Sequence, residues 1–232
     1  TRSYAVTGVQ TCALPICSLS FSLQLGTLLP VLLGVTLVRV LAMLHYASLR
    51  RVYPGFRILM LSALLVFIGV ALLLLRAEYG GVVLLVLLGN LVMLVHPALV
   101  YHGLGQYGCL PRLRARSMQN GLFIAFVVLL QVADVLLDSN MERRVLLFSF
   151  AALLLNLRIA LELPARCVRV LPGWRIMCLS YIVTAGLQIL RAHNVLTVPE
   201  FSVLSMQAGS VIGAYSVLYR ILQGALELYV VF

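Results

Sequence analysis

Lysine is absent from all 232 residues, and each of the 17 basic side chains is arginine. Without a lysine amine there is no Schiff base to retinal or pyridoxal phosphate, and no Walker A loop. Carboxylates are almost as scarce, with seven Asp and Glu spread over the whole chain. HExxH, GxSxG and paired-carboxylate patterns are missing, so a membrane hydrolase has little to work with. The five cysteines form no CxxC pair, which removes the usual zinc spacing. Charged residues amount to 10%, against about 25% in a typical soluble domain.

What fills the chain instead is hydrocarbon. Hydrophobic residues make up 62% and the mean hydropathy is +1.08. A spanning helix needs roughly 20 apolar residues, and seven apolar stretches are present, over 19–44, 58–75, 82–101, 121–137, 145–163, 176–190 and 201–222. Runs this long cannot be open strands in lipid. The expectation is therefore all-α, a polytopic transmembrane helix bundle of seven spans, occupying 18–232 as one integral membrane domain. Residues 6–16, Val6 to Ile16, resemble a translated sequencing adapter. Residues 1–17 are accordingly expected to be an artefact and are excluded from fold reasoning.

The net charge of +10 does not point to nucleic acid in so apolar a chain. Nine arginines (Arg50, Arg51, Arg57, Arg112, Arg114, Arg116, Arg166, Arg169 and Arg175) flank one set of alternating loops, against Arg76, Arg143, Arg144 and Arg191 on the other. The positive-inside rule places the first set in the cytoplasm, with the N-terminus outside and the C-terminus cytoplasmic. The cell inner (plasma) membrane is the expected location, and the bilayer the expected partner.

Ionisable and amide groups at depth are the candidate functional residues. Asp134 and Gln131 lie near the outer end of span 4. Asn90 in span 3 follows Gly89, where a small residue lets helices approach and an amide can bond across. Asn156 and Gln188 offer the same bond. Arg158 and Glu162 are four apart in span 5 and share a helix face. His96 is the one core histidine, and Pro97 beside it suggests a kink. Arg39 and Arg220 read as snorkelling side chains. No metal site and no cofactor are expected. The sensing candidates are Asp134, Gln131, Asn90 and His96, and the intramembrane pair is Arg158 with Glu162.

Arg51-Val-Tyr-Pro-Gly-Phe-Arg-Ile58 also echoes Arg169-Val-Leu-Pro-Gly-Trp-Arg-Ile176, 118 residues later. A parallel duplication and two convergent membrane-entry turns both account for it.

The segment from Arg51 to Gly108 resembles the multi-span membrane sensor region that precedes bacterial GGDEF diguanylate cyclases. The resemblance rests on Tyr53-Pro54-Gly55-Phe56, Leu75-Arg76, Leu88-Gly89-Asn90-Leu91 and Gly103-Leu104-Gly105. It continues through Pro172-Gly173-Trp174-Arg175 and Leu190-Arg191. It implies a sensory input module that couples an envelope or membrane signal to cytoplasmic cyclic-di-GMP synthesis; the expected partners are an unknown small ligand and a second copy, in a homodimer formed through the spans and a C-terminal output domain. No GGDEF or GGEEF signature occurs here, so that domain would lie beyond residue 232 and the chain itself is not expected to be an enzyme. The competing expectation is a small transporter or permease, motivated by Pro30, Pro97, Asp134 and the echo. A membrane enzyme ranks last and would need His96, Asp134 or Glu162 in one cavity.

Overall fold

A computed structural model describes residues 25–49, 51–53, 55–79, 82–109, 113–137, 140–162, 174–197 and 217–226. The described residues are helical apart from short connections. The helices are α1 (Leu25–Leu49), α2 (Phe56–Tyr79), α3 (Val83–Leu104), α4 (Leu113–Leu137), α5 (Met141–Glu162) and α6 (Trp174–Thr197), then a short α7 (Val217–Leu226). A turn of π-helix, Gly105–Cys109, closes α3. Six helices are long and apolar enough to cross a membrane; the chain is a multi-pass membrane protein. Most of the expected seventh span, and the whole of residues 1–17, lie outside the described residues.

Local chemistry sets the helix ends. Gly55 turns the chain into α2 at φ +94°, a conformation that costs other residues about 1–2 kcal/mol. Asn140 caps α5: its Oδ1 accepts from the backbone N–H of Glu142 (2.9 Å) and Arg143 (3.3 Å), as an N-cap side chain should.

Consecutive helices pack as antiparallel neighbours, α3 also touches α5, and α5 pairs with α6. Lipid gives no hydrophobic drive for helix to meet helix, so close packing and polar bonds must hold the bundle. The entry to α2 comes close to the backbone of α3. A Cβ on Gly55 would lie 2.2 Å from the Gly103 carbonyl oxygen. Around it gathers the largest core cluster, with Met43, Phe56, Leu59, Ala63, Tyr101, Ile159, Met177 and Tyr181. A second cluster, including Leu94, Ile124, Val127, Phe148 and Leu155, fills the space between α3, α4 and α5.

Outward faces are apolar too. On α4, Met118, Leu122, Phe126 and Leu129 form an exposed stripe, while Asn120, Ile124, Val127 and Gln131 form the buried one. In water such a stripe would be an aggregation site; here it meets acyl chains.

The echo extends into packing. In α2 the buried face includes Leu59, Ser62, Ala63, Val66 and Val70. In α6 it includes Met177, Ser180, Tyr181, Thr184 and Gln188, each 118 residues on. Both helices begin at the aromatic that follows Pro-Gly. Helices α2 and α6 thus bury equivalent positions.

Candidate functional site: two polar clamps and a mid-depth cavity

One end of the bundle carries Tyr101 near the end of α3, Arg116 in the first turns of α4 and Glu162 at the end of α5. The Tyr101 hydroxyl and Arg116 Nη1 both donate to Glu162 Oε2. Arg158 Nε donates to Glu162 Oε1 at 3.1 Å. Arg158 reaches further, to Asn120 Oδ1 and Gln119 Oε1 on α4, and its guanidinium lies 5.2 Å from the centroid of the Tyr101 ring. The Arg158–Glu162 pair expected from i, i+4 spacing is therefore present, but as the centre of a network tying α3, α4 and α5. Beside it, Tyr53 packs edge-on against Tyr107, with centroids 4.4 Å apart. Burial and these neighbouring phenols push the Tyr53 hydroxyl up to about 12, so it stays neutral at any physiological pH.

The opposite end holds the second clamp. Asp134, in the last turn of α4, is mostly buried and faces Arg143 (3.2 Å) and Arg144 (3.6 Å) at the start of α5. Arg76 on α2 lies within electrostatic reach of Arg144 and of Arg191 on α6, and Arg191 sits 5.3 Å from the centroid of the Phe148 ring. A little deeper, Asn90 Nδ2 donates to Gln131 Oε1 at 3.2 Å, joining α3 to α4. Gln131 Nε2 has no hydrogen-bond partner among the described residues. Asp134, Gln131 and Asn90 thus do gather at one end of the molecule.

His96 does not join them. It lies near the middle of the span Val83–Tyr107, where its Nδ1 is 2.6 Å from the Ser62 hydroxyl on α2. His96, Asp134 and Glu162 therefore occupy three different depths. Asn156 also departs from expectation: its amide turns back to the Ala152 carbonyl of its own helix. The α3 helix runs unbroken past Pro97.

A cavity of about 30 Å³ opens at the depth of His96, between α1, α2, α3 and α7. Among the described residues its polar lining is Thr36, Arg39, His96, Arg220 and Gln223. Sequence position suggested snorkelling for Arg39 and Arg220. The structure corrects this for Arg39: it is buried, 7% exposed, near the middle of the span Leu28–Leu49, and its guanidinium lies against Gly224 of α7. An arginine at the centre of a spanning helix costs about 2.5–3.5 kcal/mol on insertion scales. Hydropathy averages over helix faces and so could not separate an inward Arg39 from a snorkelling one.

No family model, curated protein or solved structure matches the chain. The site must therefore speak through its own chemistry. That chemistry is electrostatic and positional. Two polar clamps link the same pair of helices at both ends, and an apolar cluster lies between them.

Proposed function

We propose that the chain is a membrane-embedded sensory input module of the bacterial inner membrane. The N-terminus lies outside and the C-terminus in the cytoplasm, where the module feeds a diguanylate-cyclase-type output as a homodimer. The arginine distribution supports that orientation, and the resemblance around Tyr53-Pro54-Gly55-Phe56 and Gly103-Leu104-Gly105 supports the class. The observation that carries the reading is the double clamp. Asp134 meets Arg143 and Arg144 at the outer end of α4 and α5. Glu162 meets Arg116 at the inner end of the same two helices. A small ligand that competes for the outer clamp would tilt α4 against α5. The packed interior transmits such a tilt rather than absorbing it, so the inner clamp reports it to the cytoplasm.

Asp134→Asn keeps the side chain's shape and removes its charge. In cells carrying the whole gene, it is expected to shift the cyclic-di-GMP level severalfold at unchanged membrane protein abundance. An unchanged nucleotide level at equal abundance would reject the sensing role of Asp134. A stop codon directly after codon 232 in the source DNA would reject the output assignment.

A second reading, a small transporter or permease, draws on one specific observation. Arg39, Arg220 and His96 line a cavity at mid-depth, which is where transporter substrates bind. Uptake of a labelled solute into proteoliposomes, lost on Arg39→Gln, would favour it over the sensor.

A further inference from the structure

We propose that the Tyr101 end of the bundle carries three equivalent docking strips for phospholipids with a net negative headgroup, one each on α2, α4 and α6. Each strip begins at an exposed arginine that is the second residue of its helix: Arg57, Arg114 and Arg175. Above each arginine an exposed apolar row climbs the same helix. On α2 the row is Leu61, Leu64 and Ile68. On α4 it is Met118, Leu122 and Leu129, and on α6 it is Leu179, Ile182 and Ile189. With 3.6 residues per turn, each row stays on the same side of its helix as the arginine at its foot. The core residues of these helices, such as Leu59, Ile124 and Met177, lie on other faces, so the rows look outward to lipid. Arg57, Leu61 and Leu64 recur as Arg175, Leu179 and Ile182, each 118 residues on. The α4 strip lies outside that echo and repeats the arrangement independently.

Charge selects the headgroup. No Asp or Glu occurs in 44–77, 102–133 or 163–199, the stretches that contain the three arginines. Among the described residues the carboxylate at this end is Glu162, which Arg116 and Arg158 already engage. A lipid phosphate offers a guanidinium a bidentate, charge-assisted partner. A choline headgroup brings a cation of its own, which the arginine repels; a glycerol headgroup brings none. The surface therefore complements phosphatidylglycerol rather than phosphatidylcholine.

Length and depth agree with a lipid occupant. From Arg57 to Ile68 the helix climbs about 16 Å, and half of a bilayer's hydrocarbon core is about 15 Å. A headgroup held at the arginine thus lays its acyl chain along the row within one leaflet. Trp174, 5.6 Å from the Arg175 guanidinium at the ring centroid, marks the headgroup level as interfacial tryptophans do. The other end is built differently: Arg143 and Arg144 face Asp134, and Arg191 packs on Phe148. The strips share no residue with that clamp and do not depend on which leaflet they face, so they stand or fall independently of the sensory reading.

The test uses the full chain in phosphatidylcholine liposomes, with spin-labelled phosphatidylglycerol as the probe and spin-labelled phosphatidylcholine of the same acyl chains as the reference. EPR reads the motionally restricted fraction of each. The wild type is expected to restrict phosphatidylglycerol severalfold more than phosphatidylcholine. That preference should vanish when Arg57→Gln, Arg114→Gln and Arg175→Gln are combined, and persist in the matching triple lysine variant, which keeps the charge. Where the triple glutamine variant fails to insert, the three single variants carry the test, each expected to lose part of the preference. Equal restriction of the two lipids by the wild type overturns the proposal, as does a preference undiminished in the glutamine variants. Loss of the preference on adding inorganic phosphate at constant ionic strength would assign the arginines to a soluble anion and overturn the lipid assignment.

Discussion

Gly55→Ala is expected to destabilise the bundle by about 2–5 kcal/mol, measured by unfolding the detergent-solubilised protein with increasing SDS. Two separate costs add. At φ +94° an L side chain is strained by about 1–2 kcal/mol. The new methyl would also stand 2.2 Å from the Gly103 carbonyl oxygen, a backbone atom that cannot rotate away, and overpacking of this kind costs about 1–3 kcal/mol. Either α2 shifts off α3, or the turn rebuilds. Both disturb Phe56 and Leu59, which are almost fully buried in the main core cluster. A Gly55→Ala protein within 0.5 kcal/mol of wild type would show that this crossing does not organise the bundle.

Glu162→Gln is expected to cost about 1–2 kcal/mol in the same measurement. The carboxylate balances Arg158 and Arg116 and accepts from Tyr101, and an amide cannot replace the charge. The figure stays modest because about a quarter of each of these charged side chains remains exposed, and exposed pairs contribute little. The sharper test is a cycle with Tyr101→Phe. Groups in one network are not additive, so Tyr101→Phe should cost much less in the Glu162→Gln background than alone. Strict additivity of the two substitutions would mean that the network is not a unit.

Hydropathy made the spans readable because each needs only a count of apolar residues along the chain. Their ends were less readable, for a definite reason. Span 4 was expected over 121–137, yet α4 begins at Leu113. The polar residues Arg116, Gln119 and Asn120 are helical because Glu162 and Arg158 on α5 engage them. Likewise α6 runs on to Thr197, past Arg191, whose guanidinium packs on Phe148. Pairing within one helix was legible, as Arg158 with Glu162 shows, since i, i+4 spacing is a local fact. Pairing between helices was not: Tyr101 and Arg116 reach Glu162 from 61 and 46 residues away. The Asn90–Gln131 bond lay between, with both residues named and their contact settled only by the packing of α3 on α4.

Orientation carries the whole functional account, because the Asp134 clamp senses only if it faces outward. Substituted-cysteine labelling tests this directly, in a background where the five native cysteines are replaced. Glu142→Cys and His193→Cys mark the Asp134 end, and Arg51→Cys and Arg114→Cys mark the Tyr101 end; all four positions are exposed. A membrane-impermeant maleimide applied to intact cells should label the first two and spare the last two until the membrane is opened. Labelling of Arg51→Cys and Arg114→Cys in intact cells, with Glu142→Cys and His193→Cys protected, would contradict the account.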